Sequence, residues 1–82
     1  MEFITYIIYS NNLDKYYIGS TGDTIEKRIY NHNINHKGFT GRSTDWKLVY
    51  QESFDNIQES RSREKQIKKW KSRKMIENLI NS

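Results

Sequence analysis

Residues 3–21, FITYIIYSNNLDKYYIGST, decide the fold of this chain. Two segments, 3–9 and 15–20, are rich in Ile, Tyr and Phe, which favour strands. Between them lies Asn11-Asn12-Leu13-Asp14, a polar stretch of turn-forming residues. The pattern predicts an antiparallel hairpin.

The length of this turn also predicts which side chains share a face of the hairpin. A four-residue loop at 11–14 places Tyr6 opposite Gly19 and Ile8 opposite Tyr17. Two phenols then lie on one surface. Because tyrosine is common in strands as a packing residue, the pair indicates function only together with other polar groups.

A helix and a third strand are predicted after the hairpin. Asp23 is a candidate N-cap with Glu26 three residues later, and apolar residues at helical spacing continue the helix from about Thr24 to Asn35. Residues 36–45 have loop composition. The alternation from Trp46 to Phe54 predicts a strand in which Trp46, Leu48 and Tyr50 share the better buried face.

The last third of the chain has neither Gly nor Pro and predicts two helices. The first begins near Asn56, and the break falls at Lys71-Ser72, where Ser72 can cap the second. The apolar stripe of that last helix consists of Met75, Ile76, Leu79 and Ile80. The predicted order is therefore β-β-α-β-α-α: a small α/β domain with one three-stranded sheet flanked by helices, and 82 residues leave room for one domain only.

Composition limits the classes of function. The net charge is +4, and most of the fourteen basic residues lie between Arg61 and Lys74, which indicates either a polyanionic partner or solvated helix faces. Without cysteine, a metal ion must be held by oxygen or imidazole ligands, which favours Mg²⁺. The apolar run at 3–9 is too short for a membrane span, so we expect no membrane association and a cytoplasmic protein.

One carboxylate occupies a position where a core residue is expected. Steps of three and four residues from Ile57 to Ile67 pass through Ser60 and Glu64. A buried carboxylate needs a partner, because its desolvation is costly. Either a salt bridge, for instance to Lys68 one turn on, or a metal ion would satisfy Glu64.

The first predicted helix carries two more candidates. Arg28 and His32 lie one turn apart beside its apolar face, so both can reach the edge of the sheet, unless Arg28 only buries its stem. A carboxylate for metal, a fixed cation for phosphate charge, and a phenol or imidazole for the proton of the attacking water are together what phosphodiester hydrolysis needs.

These residues resemble the motifs of the GIY-YIG nucleases, a family that includes the N-terminal domain of a bacterial excinuclease, homing endonucleases and small stand-alone bacterial proteins. Ile4-Thr5-Tyr6 is similar to the first motif, although Ile4 stands where Gly is usual, and Tyr17-Ile18-Gly19 matches the second motif in full. Arg28 followed four residues later by His32-Asn33 resembles the helix motif, and Arg63-Glu64-Lys65 resembles the metal-binding motif of the small branch.

The resemblance implies an α/β sandwich with a three-stranded antiparallel sheet and a metal-dependent endonuclease, in which Glu64 holds Mg²⁺, or Mn²⁺ as a substitute. Tyr6, Tyr17, Arg28 and His32 would then surround the scissile phosphate. Tyr6 or His32 would help to deprotonate the attacking water, Tyr17 would position the water or the phosphate, and Arg28 would stabilise negative charge. A phenol with its ordinary pKa near ~10 needs Arg28 or Mg²⁺ to lower that pKa before it can act as the base.

We expect nucleic acid as the partner, with DNA favoured and RNA left open, contacted by Gly19, Lys37, Arg42 and Lys68. Sequence specificity should be low, because few side chains remain to read base edges. Two alternatives stay open at this point. The chain could bind nucleic acid without cutting it, or it could cut only when a targeting protein delivers the substrate.

Overall fold

The computed structural model describes residues 2–34 and 40–82, and it has the predicted order of two strands, a helix, a strand and two helices. The elements are β1 (Phe3–Ser10), β2 (Lys15–Thr21), α1 (Ile25–Ile34), β3 (Lys47–Phe54), α2 (Ile57–Trp70) and α3 (Arg73–Ile80), with a short 3-10 turn at Thr40–Arg42. The predicted α/β class is therefore confirmed, and a 3-10 turn lies within the segment predicted as loop.

The three strands form one antiparallel sheet in the order β2-β1-β3. In the hairpin, Tyr6 pairs with Gly19 and Ile8 pairs with Tyr17, as the turn length predicts. Since alternate residues of a strand point to opposite faces, the side chains of Tyr6, Ile8 and Tyr17 lie on the same face of the sheet.

A bulge in β3 changes the facing that simple alternation predicts. Ile7 pairs with Tyr50, whereas its neighbour Ile8 pairs with Leu48, so Val49 is an extra residue in the ladder. Leu48 consequently packs with the cluster around Ile8, and Tyr50 packs with the opposite cluster around Ile7. The expectation that Trp46, Leu48 and Tyr50 share a face was wrong for Tyr50, because a bulge shifts the period by one residue.

Both faces of the sheet are covered by helices. On one face α1 closes over a cluster whose buried members are Ile4, Tyr6, Ile8, Ile25 and Trp46. On the other face α2 and α3 close over Ile7, Ile18 and Ile67, with Ile76, Leu79 and Ile80 of α3 packed against them. The central strand β1 thus contributes to both layers, which explains its almost continuous run of apolar and aromatic residues.

The ends of two helices differ in detail from the prediction. The first helix begins at Ile25, and the amide of Arg28 donates to the carbonyl of Thr24, so Thr24 rather than Asp23 occupies the capping position. In α3, Met75 is 44% exposed and lies outside the apolar stripe. Eight residues give little more than two turns, so fewer apolar positions can face the sheet than the periodicity suggested.

The bend between α2 and α3 lies where the sequence predicts it. The amide of Met75 donates to the Ser72 hydroxyl, which caps α3. Lys71 ends α2 in the left-handed region, with φ 47° and ψ 34°. A lysine in this conformation costs free energy that a glycine would not. None of the helices in the described ranges is long and apolar enough to cross a membrane.

This bend gives a prediction about stability. We expect Lys71→Gly to raise the free energy of unfolding by about 0.5–1 kcal/mol, because glycine adopts the left-handed conformation without a steric penalty. The control is Lys69→Gly, two residues earlier inside α2, which should lower it by about 1 kcal/mol. Urea denaturation measures both. Equal destabilisation by the two variants would contradict a left-handed backbone conformation at Lys71.

Candidate active site

The site is organised around the close approach of Tyr6 to Gly19. Tyr6 is completely buried, and its ring lies over the glycine that pairs with it across the strands. A Cβ atom on residue 19 would lie 2.6 Å from the Tyr6 hydroxyl oxygen, which is closer than real Cβ contacts. The glycine of the Tyr17-Ile18-Gly19 motif therefore leaves room for the side chain of Tyr6.

The Tyr6 hydroxyl belongs to a chain of hydrogen bonds that joins three elements. Arg28 of α1 donates from Nε to the Tyr6 oxygen at 3.2 Å. That oxygen lies 2.7 Å from Nε2 of His32, and Nδ1 of His32 lies 3.0 Å from the Thr40 hydroxyl. Since Arg28 can only donate, the Tyr6 proton goes to Nε2, and His32 carries its own proton on Nδ1 and donates it to Thr40. This assignment gives every group in the chain a partner.

Burial determines the protonation states in this chain. Burial, together with the smaller effect of the positive charge of Arg28, lowers the pKa of His32 to about 4, so His32 is neutral at pH 7. Burial also raises the pKa of Tyr6, and the hydrogen bond and charge of Arg28 only partly oppose this effect. The expectation that Arg28 lowers the pKa of a phenol is therefore confirmed in direction for Tyr6, but desolvation is the larger effect and the net pKa is raised.

Tyr17 lies beside this chain on the edge strand and is partly exposed. Its ring centroid is 5.1 Å from that of His32 and 6.5 Å from that of Trp46, with edge contacts in both cases. On the other side, the Lys68 ammonium lies 5.8 Å from the ring centroid. Tyr17 is thus the phenol of the pair that lies where the buried chain meets the surface.

Glu64 of α2 reaches the same sheet edge from the opposite face. Its Oε1 accepts a hydrogen bond of 2.7 Å from the Ser20 hydroxyl, and its Oε2 accepts one of 2.6 Å from the Lys68 ammonium. The Glu64 side chain is 21% exposed and that of Lys68 is 49% exposed. Of the two alternatives for this carboxylate, the salt bridge to Lys68 is present, and it leaves the metal-ligand alternative open because both side chains have access to solvent.

A metal ion with few protein ligands fits Glu64. Each carboxylate oxygen accepts one hydrogen bond and keeps a lone pair, and Ser20 fixes the orientation of the group. Mg²⁺ is commonly bound through one or two carboxylates, with waters and substrate phosphates as the other ligands. Within residues 2–34 and 40–82, no group of three His, Asp or Glu side chains could hold an ion between them. The donor set therefore fits Mg²⁺ but not a metal cage built from protein alone.

The structure brings together five of the residues singled out in the sequence: Tyr6, Tyr17, Arg28, His32 and Glu64. It buries Gly19 beneath the Tyr6 ring, which gives this residue a packing role, and its contact with nucleic acid stays a prediction. Arg42 is exposed in the 3-10 turn, and Lys68 is exposed beside Tyr17. Lys37 lies outside the described residues.

Sequence reasoning missed two positioning residues, Ser20 and Thr40. Strand parity could have found Ser20, because the neighbour of Gly19 must point to the opposite face, where α2 packs. Thr40 follows a segment of loop composition, and no periodicity connects it to His32. A second loop contact, between Asn33 and both backbone groups of Trp46, holds the end of α1 against the start of β3.

The buried His32 makes stability depend on pH. Its folded pKa, about 4, lies below its unfolded value near 6.5, so the unfolded chain binds the additional proton between these pH values. The full contribution is present above about pH 6.5 and is lost as the pH falls toward 4, on the order of 1–3 kcal/mol. Hydrogen bonds from Ser10, Ser43 and the Asn12 amide lower the pKa of Asp45 from 3.8 to about 2, so its contribution to stability changes only below the pH range in which His32 titrates.

We expect His32→Gln to flatten the stability profile between about pH 6.5 and pH 4, since glutamine does not titrate. Urea denaturation at closely spaced pH values measures this, and NMR titration of the two histidines identifies the group. The control is His36→Gln, which removes the other histidine of the chain. A wild-type profile unchanged across the window would contradict a neutral, buried His32.

Comparison with known proteins agrees with this geometry. The family model described as the GIY-YIG catalytic domain matches residues 2–78, nearly the whole chain. The fold is similar to the solution NMR structure of a UPF0213 protein from Bacillus halodurans, with a TM-score of 0.58 and 24% identity, covering 99% of this chain and 84% of that one. No curated protein matches the sequence significantly. GIY-YIG catalytic domains are domains of the nuclease type, which hydrolyse phosphodiester bonds, and this chain belongs to that family.

Proposed function

We propose that this chain is a metal-dependent endonuclease that hydrolyses phosphodiester bonds in DNA with low sequence specificity, and that residues 1–82 form one nuclease domain. The observation that carries the proposal is the hydrogen-bonded chain Arg28–Tyr6–His32 ending beside Tyr17, with Glu64 at the same sheet edge. This arrangement supplies a fixed cation, a phenol at the surface and a carboxylate for a divalent ion.

Arg28 is the group suited to stabilise charge on the phosphate. Its Nε is held by Tyr6, and in the described ranges its terminal nitrogens make no hydrogen bond within the protein. Their donors therefore remain for two phosphate oxygens, the bidentate geometry in which guanidinium binds this group well. Because Tyr6 and His32 fix the side chain beforehand, little reorganisation is needed as negative charge develops in the transition state.

Tyr17 is the group placed to meet the attacking water. Tyr6 has no surface open to solvent and donates its proton to His32, so it acts as a positioning residue. His32 uses both ring nitrogens, toward Tyr6 and Thr40, and keeps the chain in one orientation. We assign Tyr17 to orient the water. As the water oxygen bonds to phosphorus and the bond to the leaving oxygen breaks, the Tyr17 hydroxyl relays to solvent the proton that the water loses, and the leaving oxygen takes up a proton from solvent.

Glu64 would hold Mg²⁺, with Mn²⁺ as a substitute. When bound, the ion supplies positive charge that neutralises the phosphate and assists departure of the leaving oxygen. Lys68 must then release or share Oε2 of the carboxylate, and its flexible ammonium can turn toward a neighbouring phosphate. The exposed Arg42 and Lys68 are suited to contact backbone phosphates, which explains the expected low specificity.

Two observations favour a second candidate, a domain that binds nucleic acid without cutting it. Tyr6 is closed to solvent, and Glu64 is already satisfied by Ser20 and Lys68. A domain that only binds nucleic acid has no need of a guanidinium fixed by the buried Tyr6 and His32 with its terminal nitrogens available for a phosphate. A nuclease that depends on a targeting protein keeps the same site and differs only in how substrate is delivered.

The proposed function predicts cleavage of plasmid and branched DNA in Mg²⁺ or Mn²⁺ and none in EDTA. We expect Glu64→Gln to abolish cleavage, because the amide removes the anionic ligand while keeping an acceptor for Ser20. Its stability should change by less than about 1 kcal/mol, since a partly exposed ion pair contributes little. Glu77→Gln is the matched control, because Glu77 also pairs with a cation four residues away, and it should leave cleavage intact. Metal-dependent cleavage by Glu64→Gln would refute the assignment.

The role of Arg28 gives a second prediction for catalysis. Arg28→Ala should lower the single-turnover cleavage rate by at least ~10²-fold, the usual effect of removing one transition-state contact, with little change in DNA affinity. The control is Lys27→Ala, which removes the neighbouring exposed cation of α1. Rate measurements at saturating enzyme and binding measured in EDTA separate the two effects. An affinity loss as large as the rate loss would reduce Arg28 to an anchor for phosphate.

A further inference from the structure

A groove of about 460 Å³ lies outside the proposed catalytic centre, where the edge strand β2 meets the bend between α2 and α3. Ile18 and Ile76 line it, with the fully buried Ile67 beneath them, and its basic lining residues are Lys15, Lys68, Lys71 and Arg73. Its size suits a group as large as one nucleotide. The motifs that this chain shares with the family do not include the α3 side of this groove.

The lining residues carry a positive surplus. Asp14 is the carboxylate among them, and Arg73 neutralises it through an ion pair of 2.6 Å. Lys71 makes no ion pair in the part of the chain that the structure describes. An anionic occupant is therefore favoured over a neutral one.

The groove is continuous with the catalytic centre through Lys68. This lysine lines the groove, and its ammonium also contacts Glu64 and lies over the Tyr17 ring. Along the axis of α2, the seven steps from Glu64 to Lys71 rise by about 10 Å, a length that only a few phosphates of one strand span. A strand with its scissile phosphate at Glu64 can therefore place a neighbouring nucleotide in the groove.

The apolar lining distinguishes between forms of the nucleic acid. A duplex keeps the faces of its bases stacked within and is too wide to enter a groove the size of one nucleotide. It therefore cannot place a phosphate in the groove against Lys71 or a base against Ile18 and Ile76. An unpaired nucleotide offers a base face to the apolar side chains and a phosphate to the lysines, as in other sites for single strands. We propose that this groove is a binding site for one unpaired nucleotide of the strand being cut, which makes locally single-stranded DNA the preferred substrate.

The proposal rests on the proposed function in one respect, namely that the bound nucleotide belongs to the strand that is cut. All its tests are made in EDTA, where no cleavage is expected, so they measure binding alone. The probes are a fluorescein-labelled single strand and a blunt duplex of the same length, followed by anisotropy. We expect Lys71→Gln to weaken binding of the single strand about fivefold and binding of the duplex less than twofold. Lys69→Gln, an exposed neighbour in α2 that does not line the groove, should change each less than twofold.

The contribution of the base is tested without any variant. Wild-type protein should bind a thymidine hexamer about fivefold more tightly than a hexamer of abasic nucleotides with the same charge. Addition of the thymidine hexamer should shift the NMR methyl signals of Ile18 and Ile76. Equal affinity for the two hexamers, unshifted methyl signals, or polyglutamate binding with the same dependence on Lys71 would each overturn the proposal. Groove binding by a protein that never cleaves DNA would instead contradict the proposed function alone.

Discussion

The rest of the structure depends on the burial of one phenol. Tyr6 lies in the central strand with no exposed surface, so its hydroxyl must be satisfied inside the protein. Arg28 and His32 satisfy it from α1, and the unsubstituted Gly19 gives it space from the neighbouring strand. Because the same contacts fix the guanidinium and the imidazole, the packing of the core also sets the positions of the site residues.

The two faces of the sheet contribute different chemistry. The face under α1 holds the hydrogen-bonded chain, and the face under α2 holds the polar contact of Ser20 with Glu64. The groups meet only because β2 is an edge strand, around which Lys68 and Glu64 reach toward Tyr17. An edge strand is usually protected from pairing with other chains, and here charged side chains cover it while forming the site.

Much of the fold follows from local patterns. The turn length fixes the register of the hairpin, so the pairing of Tyr6 with Gly19 follows from the number of turn residues alone. Ser72 marks the start of α3 because a hydroxyl there can accept from an amide of the first turn. The bulge at Val49 could not be predicted, since an extra residue in one strand depends on how its partner packs and leaves no periodic signal.

The sequence by itself determined the residue types, their spacing and the face on which the two tyrosines lie, because these depend on helical and strand periods alone. Tertiary structure decided how the groups are used. It closed Tyr6 to solvent, so that burial outweighs Arg28 and raises the pKa of the phenol. It also brought the Ser20 hydroxyl of β2 to Glu64 of α2, and it brought Thr40 to His32 from beyond a loop. Desolvation and contacts across loops arise only when separate elements pack, which is why no local pattern encodes them.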